Sequence, residues 1–252
     1  MKTQRVAFTN QSGERLSGAL DMPEGEPRAF ALFAHCFTCG KSLTPIRRIA
    51  EQLTNEGIAL FRFDFTGLGE SDGEFADTTF YSNLKDLQSA AAFLQQEHQS
   101  PAILIGHSLG GAAALAIAGS LPDLTCIVTI GAPADPTHVK HLMHGAEFDN
   151  DGRAEVSIGG RPFTIGREFV DDLERHDVER AAQSLGLPLL IFHSPIDRIV
   201  GIENAERIFR AAKHPRSFVS LGQADHLMSD ARDAALVGHV LSAWASRYID
   251  SE

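Results

Sequence analysis

Apolar residues follow two rhythms along this chain. Ala29-Phe30-Ala31-Leu32-Phe33-Ala34, Ile58 to Phe63, Ile103-Leu104-Ile105, Cys126-Ile127-Val128-Thr129-Ile130 and Pro188-Leu189-Leu190-Ile191-Phe192 are almost continuously apolar, as strands covered on both faces must be. Between them the spacing turns helical. Ile46, Ile49, Ala50 and Leu53 predict a helix over Pro45 to Asn55, closed by Gly57, and Leu84, Leu87, Ala91 and Leu94 predict one over Tyr81 to about His98. Leu109 to about Ser120, Ile202 to Ala212 and Ala231 to Tyr248 read as further helices, and Arg216 to Leu221 as the last strand. Strands alternating with helices predict an α/β fold with a mostly parallel, doubly wound sheet. Val6 to Thr9 and Leu16 to Leu20 alternate about a polar turn, which predicts an N-terminal antiparallel hairpin.

The rhythm breaks between Ala134 and Leu187. This stretch holds a candidate helix at Pro136 to Glu147, a hairpin-like Val156 to Thr164, and charged helical stretches at Arg167 to Arg175 and Val178 to Ser184. A structureless loop of that length is improbable inside a compact domain, so residues 134–187 are expected to form an inserted cap. Its apolar side chains Met143, Phe148, Phe163 and Phe169 can be core of the cap itself. Collectively, some are expected to face a ligand.

Composition narrows the picture. A chain of 252 residues with 43% hydrophobic content can bury a sizeable core and is expected to form one domain over 1–252. The net charge of -11 opposes binding to nucleic acid or anionic membrane, since either polyanion would be repelled. No leader-like segment opens the chain and no apolar run approaches the roughly 20 residues that span a bilayer, so a cytoplasmic protein is expected. Three cysteines, Cys36, Cys39 and Cys126, make an odd set that argues against a secreted disulfide framework.

The chemistry concentrates at Gly106-His107-Ser108-Leu109-Gly110-Gly111, where a buried strand stops at a Gly-x-Ser-x-Gly turn and a helix begins at once. Such a turn holds the serine hydroxyl out over the sheet edge, with the helix N-terminus aimed at the same point. Ser108 is the candidate nucleophile. A serine hydroxyl needs a base and a group to orient that base, and later strands of such a sheet deliver partners at their carboxyl ends. The loop after Ile191-Phe192 contains Asp197, and the loop after Val219-Ser220-Leu221 contains His226, beside Asp225. Asp197 is preferred to Asp225 as the acid, because an acid adjacent in sequence to its histidine rarely reaches the far ring edge.

Taken with the Asp64-x-x-Gly67-x-Gly69-x-Ser71 loop, these motifs resemble the α/β-hydrolase superfamily over essentially the whole chain. More narrowly, His35-Cys36-Phe37-Thr38-Cys39-Gly40-Lys41 and Arg62 to Ser71 look like the hydrolase half of bacterial proteins that carry an OsmC-type redox domain. No such half follows within the 252 residues, so the chain is expected to be a stand-alone relative or a piece of a fusion. The resemblance implies a serine esterase for small acyl or aryl substrates that works without metal or cofactor. Its backbone oxyanion donors would be Phe37 and Leu109, with Cys36 standing where the superfamily has glycine. A thioesterase, amidase or acyltransferase would share the triad, and a non-catalytic partner of an OsmC-type domain is the alternative from a different class.

Several residues have plainer readings. His107 and His35 are expected to be packed supports, Asp64 an anchor for backbone N–H groups, and His138, His141 and His144 too spread around a helix to bind metal. Cys36 and Cys39 are expected to be small buried residues. The sharper reading makes them a redox pair, whose oxidation would pull on Phe37 and lower activity.

Overall fold

The computed structural model describes residues 1–143, 146–158 and 161–250. Strands β1 (Lys2–Thr9) and β2 (Arg15–Met22) form the N-terminal hairpin, followed by β3 (Ala29–Ala34), helix α1 (Thr44–Asn55), β4 (Ile58–Phe63), α2 (Phe80–Glu97), β5 (Ile103–His107) and α3 (Leu109–Ile117). After β6 (Cys126–Ile130) come β7 (Arg153–Ile158), β8 (Arg161–Gly166), α4 (Arg167–Leu173) and α5 (Val178–Ser184). The chain closes with β9 (Leu189–His193), α6 (Glu203–Ala211), β10 (Arg216–Ser220) and α7 (Ala231–Ile249).

Eight strands form one sheet in the order β1-β2-β4-β3-β5-β6-β9-β10, parallel except where β2 meets β1 and β4. The alternation within each continuous apolar run explains why both faces are covered. On one face Ala31, Phe33, Ile58, Leu60, Ile103, Ile105 and Val128 pack against Ile46, Ile49 and Leu53 of α1 and Val237 and Leu241 of α7. On the other, Phe30, Leu32, Phe61, Phe63, Leu104 and Ile127 pack with Leu84 and Leu87 of α2 and Leu115 of α3. Truncating one such residue to alanine costs about 2–5 kcal/mol, because the site cannot collapse around the hole. Helix α7 crosses α1 so closely that a Cβ on Gly238 would lie 2.6 Å from Gln52 Cβ.

The segment between β6 and β9 makes its own two-stranded antiparallel sheet, β7 with β8, while β6 and β9 pair directly with each other. Pro136–Met143 is a 3-10 helix, shorter and tighter than the α-helix expected to Glu147; the expected tip of the hairpin, Gly159-Gly160, and His144 lie outside the described residues. No helix among the described residues is long and apolar enough to cross a membrane.

Candidate active site

The turn after β5 requires its glycines. A Cβ on Gly106 would lie 2.3 Å from the Gly110 carbonyl oxygen, one on Gly110 2.3 Å from the Ala34 carbonyl oxygen, and one on Gly111 2.6 Å from Ala132 Cβ. Strand, helix and the end of β3 therefore meet at backbone distance. Between them Ser108 takes φ 55°, ψ -128°, a left-handed conformation that costs a non-glycine residue on the order of 1–3 kcal/mol. Its N–H donates to the Ile130 carbonyl at 2.9 Å, and its own carbonyl accepts from Gly111 at 2.8 Å, which fixes the turn from both sides.

The structure brings Asp197 to His226 and sends Asp225 elsewhere. His226 Nδ1–H donates to Asp197 Oδ2 at 2.7 Å, whereas Asp225 Oδ1 accepts the Ser229 N–H at 2.7 Å and caps its own turn. The other oxygen of Asp197 accepts the N–H groups of Ile199 at 2.8 Å and Val200 at 3.0 Å. Burial alone would raise the Asp197 carboxyl, but the His226 hydrogen bond and charge and these two N–H groups outweigh it, so its pKa lies below the ordinary value. Gly131, at φ 54°, lies against this pair, where a Cβ would come 3.4 Å from both Asp197 Oδ2 and His226 Nδ1.

Two further histidines belong to this layer. His107 Nε2–H donates to the His226 carbonyl at 2.8 Å, with the two rings 5.0 Å apart, and so ties the residue beside Ser108 to the histidine loop. Burial, then the neighbouring His226, pushes the His107 pKa down to about 3, so its ring is neutral at physiological pH. His193, fully buried at the end of β9, donates to the Val200 carbonyl at 2.8 Å and lies 3.8 Å from Asp197; burial lowers its pKa as well. Sequence reasoning gave neither His193 nor Gly131 a part in the site, since nothing in their local sequence reports the contact each makes with Asp197.

The loop after β3 brings Phe37 beside α3. Among the described residues the N–H groups of Phe37 and Leu109 have no hydrogen-bond partner, which leaves both free to meet an anion. His35 Nδ1–H donates to the Cys36 carbonyl at 2.8 Å, the fastening role expected of it. Asp64 anchors the loop ends: its carboxylate accepts the Lys41 N–H at 2.6 Å and the Glu70 N–H at 3.0 Å, and a Cβ on Gly69 would collide with it at 2.3 Å. Cys36 and Cys39 are not simply small packing residues, because they are joined as a disulfide. Two thiols three residues apart at a turn are close enough to bond, which the packing reading overlooked.

The four apolar cap candidates separate. Phe169 is buried with its ring 5.1 Å from that of Phe37, and Phe163 reaches the same cluster through Phe75 at 5.8 Å. Met143 is buried in the core, while Phe148 lies under the Arg167 guanidinium at 4.5 Å. Arg161, which drew no attention in the sequence, donates from Nη2 to the Thr38 carbonyl at 2.7 Å and links the β7–β8 hairpin to the Phe37 loop. His138 donates to the Ile199 carbonyl; among the described residues no group of three or more His, Cys, Asp or Glu side chains is placed to hold a metal.

The family model described as serine aminopeptidase, S33 matches residues 25–147. The esterase domain of a Rhodothermus marinus protein superposes with a TM-score of 0.84 at 52% identity, over 99% of this chain and 100% of that one. Est1E of Butyrivibrio proteoclasticus, solved with ferulic acid bound, has a TM-score of 0.82 at 22% identity over 98% and 100% of the two chains, a likeness of fold. Mouse mitochondrial palmitoyl-protein thioesterase ABHD10 is 28% identical over 190 residues, covering 72% of this chain and 63% of that protein.

Proposed function

Since this chain belongs to the α/β-hydrolase superfamily, we propose that it is a serine hydrolase that cleaves carboxylic esters of small acyl or aryl substrates through an acyl-enzyme, with Ser108, His226 and Asp197 as its triad. The observation that carries this reading is the 2.7 Å bond between His226 and Asp197, in a loop tied by His107 to the left-handed Ser108 turn. With Nδ1–H committed to Asp197, the His226 ring keeps Nε2 as its proton acceptor. It takes the Ser108 proton as the hydroxyl attacks the carbonyl carbon, and Asp197 stabilises the imidazolium that results. The oxygen of the tetrahedral intermediate is held by the free N–H groups of Phe37 and Leu109, each worth on the order of 100- to 1000-fold in rate. His226 then protonates the departing alcohol, and water repeats the sequence to release the acid.

In this reading residues 134–187 cap a single domain, and Phe169 and Phe163, joined to Phe37 through ring contacts, bound the acyl side. The esterase named in the relative from Rhodothermus marinus supports oxygen esters. The thioesterase name of the mouse relative supports a second reading with the same triad, in which a thiolate leaves instead. A fluorophosphonate probe read by intact mass tests the common step: one adduct on the wild type and none on Ser108→Ala is expected, and an unlabelled wild type would refute a nucleophilic Ser108. Paired oxygen-ester and thioester substrates of equal acyl length then separate the two readings by kcat/KM.

A further inference from the structure

The loop that carries Phe37 is closed by a covalent bond that ester hydrolysis does not use. Cys36 and Cys39 are bonded with their Cα atoms 5.4 Å apart, and the Cys39 N–H donates to the Cys36 carbonyl at 3.1 Å. The crosslink encloses only Phe37 and Thr38, and Thr38 is left-handed, at φ 61°. A threonine rarely holds that conformation unless its surroundings impose it.

Outside the crosslink the chain is anchored independently. Upstream, the Ala34 and His35 carbonyls press on Gly110, where a Cβ would meet them at 2.3 and 2.4 Å. Downstream, the Lys41 N–H is held by Asp64 at 2.6 Å. Across the loop, Arg161 holds the Thr38 carbonyl at 2.7 Å and Phe169 packs on the Phe37 ring. The part of this loop that an outside reagent can loosen without breaking its packing is therefore the bond over Phe37 and Thr38. With that bond closed the Phe37 N–H has no partner among the described residues, so the oxidised loop is the one that presents a free donor. This reverses the sign expected from the sequence, in which oxidation displaces the donor.

The two sulfurs are not equivalent. Cys36 is buried, whereas Cys39 is partly exposed, so an attacking thiolate reaches Cys39 Sγ. Cys126 is buried in β6 with its thiol pushed up to about 12 by burial, too weak an acid to join the exchange. We propose that the Cys36–Cys39 bond is a thiol–disulfide exchange site for a dithiol, and that its state sets whether the Phe37 N–H is held for catalysis. The consequence for activity rests on Phe37 being the oxyanion donor, as read above. One thiolate of the dithiol bonds to Cys39 Sγ, and the electron pair of the Cys36–Cys39 bond leaves on Cys36, which takes a proton from solvent. The second thiolate of the reagent then attacks the reagent's own sulfur in the mixed disulfide. Cys39 is released as a thiolate and protonated, two electrons have passed to the protein, and the reagent departs as a disulfide.

The test uses the full chain treated anaerobically with dithiothreitol, desalted, and assayed with p-nitrophenyl esters beside an untreated sample, with intact mass as the redox readout. Reduction should add two hydrogens and lower kcat about 10-fold or more with KM little changed, and diamide should restore both mass and rate. The Cys36→Ser, Cys39→Ser double variant should stay at the reduced rate under either reagent, and Cys126→Ala should respond as the wild type does. Circular dichroism accompanies each sample. An unchanged kcat after reduction confirmed by mass, a bond that dithiothreitol leaves intact in the folded protein, or a rate loss that merely follows the unfolded fraction would each overturn the proposal. Failure of the oxidised wild type to hydrolyse any ester would instead strike the parent reading.

Discussion

His107 and His226, 119 residues apart in sequence, are joined by a 2.8 Å hydrogen bond from a side-chain N–H to a main-chain carbonyl. The bond positions the backbone of one loop from the end of the strand that presents Ser108, so it aligns two proposed reacting groups without touching the reacting atoms. His107→Ala should lower kcat about 10-fold, equivalent to roughly 1.4 kcal/mol, and leave KM nearly unchanged. His107→Gln, whose amide can donate to the same carbonyl, should recover most of the rate. Steady-state kinetics on the two variants checks both.

Acid sensitivity should follow from the same ring. His107 has its pKa lowered from 6.5 to about 3 in the fold, so below pH 6.5 the unfolded chain takes up a proton that the folded one refuses. Stability should therefore fall as pH drops through the window from 6.5 to about 3. Asp197, also lowered, adds to the loss in the carboxylate range, where the unfolded chain again binds the proton first. Urea unfolding at stepped pH should show a shallower decline for His107→Phe than for the wild type.

Ser108 exchanges stability for placement. Ser108→Ala should abolish turnover and leave Tm unchanged, since alanine suffers the same left-handed backbone. Ser108→Gly should also be inactive yet raise stability by about 1 kcal/mol, the relieved conformation outweighing the entropy that glycine loses. Thermal melts of the two variants decide it.

Beneath the Phe37 loop, Arg62 on β4 donates to Asp21 at 2.6 Å with both side chains buried, and it also binds the Lys41 carbonyl. Arg62→Met should cost about 3–5 kcal/mol by denaturant unfolding, because it leaves a buried carboxylate without its counter-charge.

In the cap, Phe169→Ala and Phe163→Ala should shift the preferred acyl length in a graded ester series. Phe148→Ala should not, since its ring is taken up by Arg167. Equal kcat/KM ratios across the series for Phe169→Ala would remove Phe169 from the acyl side.

The main sheet was legible because burial on two faces writes itself as continuous apolar runs, and Gly106, Gly110 and Gly111 marked the turn because backbone contact tolerates no other residue. Reach favoured Asp197 over Asp225, and it is Asp197 that lies within hydrogen-bond distance of the His226 ring. Long-range polar partners left no such trace. Arg161 and Thr38, 123 residues apart, and His107 and His226, 119 apart, meet only in the fold. The bond between Cys36 and Cys39 was named in the sequence but set below packing, because spacing alone does not report the turn that brings the sulfurs together. The helix expected at Pro136 to Glu147 is found as a 3-10 helix over Pro136–Met143.

The strands β6 and β9 pair side by side, although the chain between them travels out to build a separate two-stranded sheet and returns. No register in the eight-stranded sheet depends on that excursion. The two strands hold their register by pairing with each other, but Phe169, Leu173, Val178 and Ala182 of the excursion are buried in the same apolar cluster as α2 and α3. Any segment grafted between Ile130 and Leu189 in its place therefore has to bring an apolar underside of its own. Under the proposed function, selectivity can change on that one stretch of chain while the residues at the strand ends beneath it stay in place.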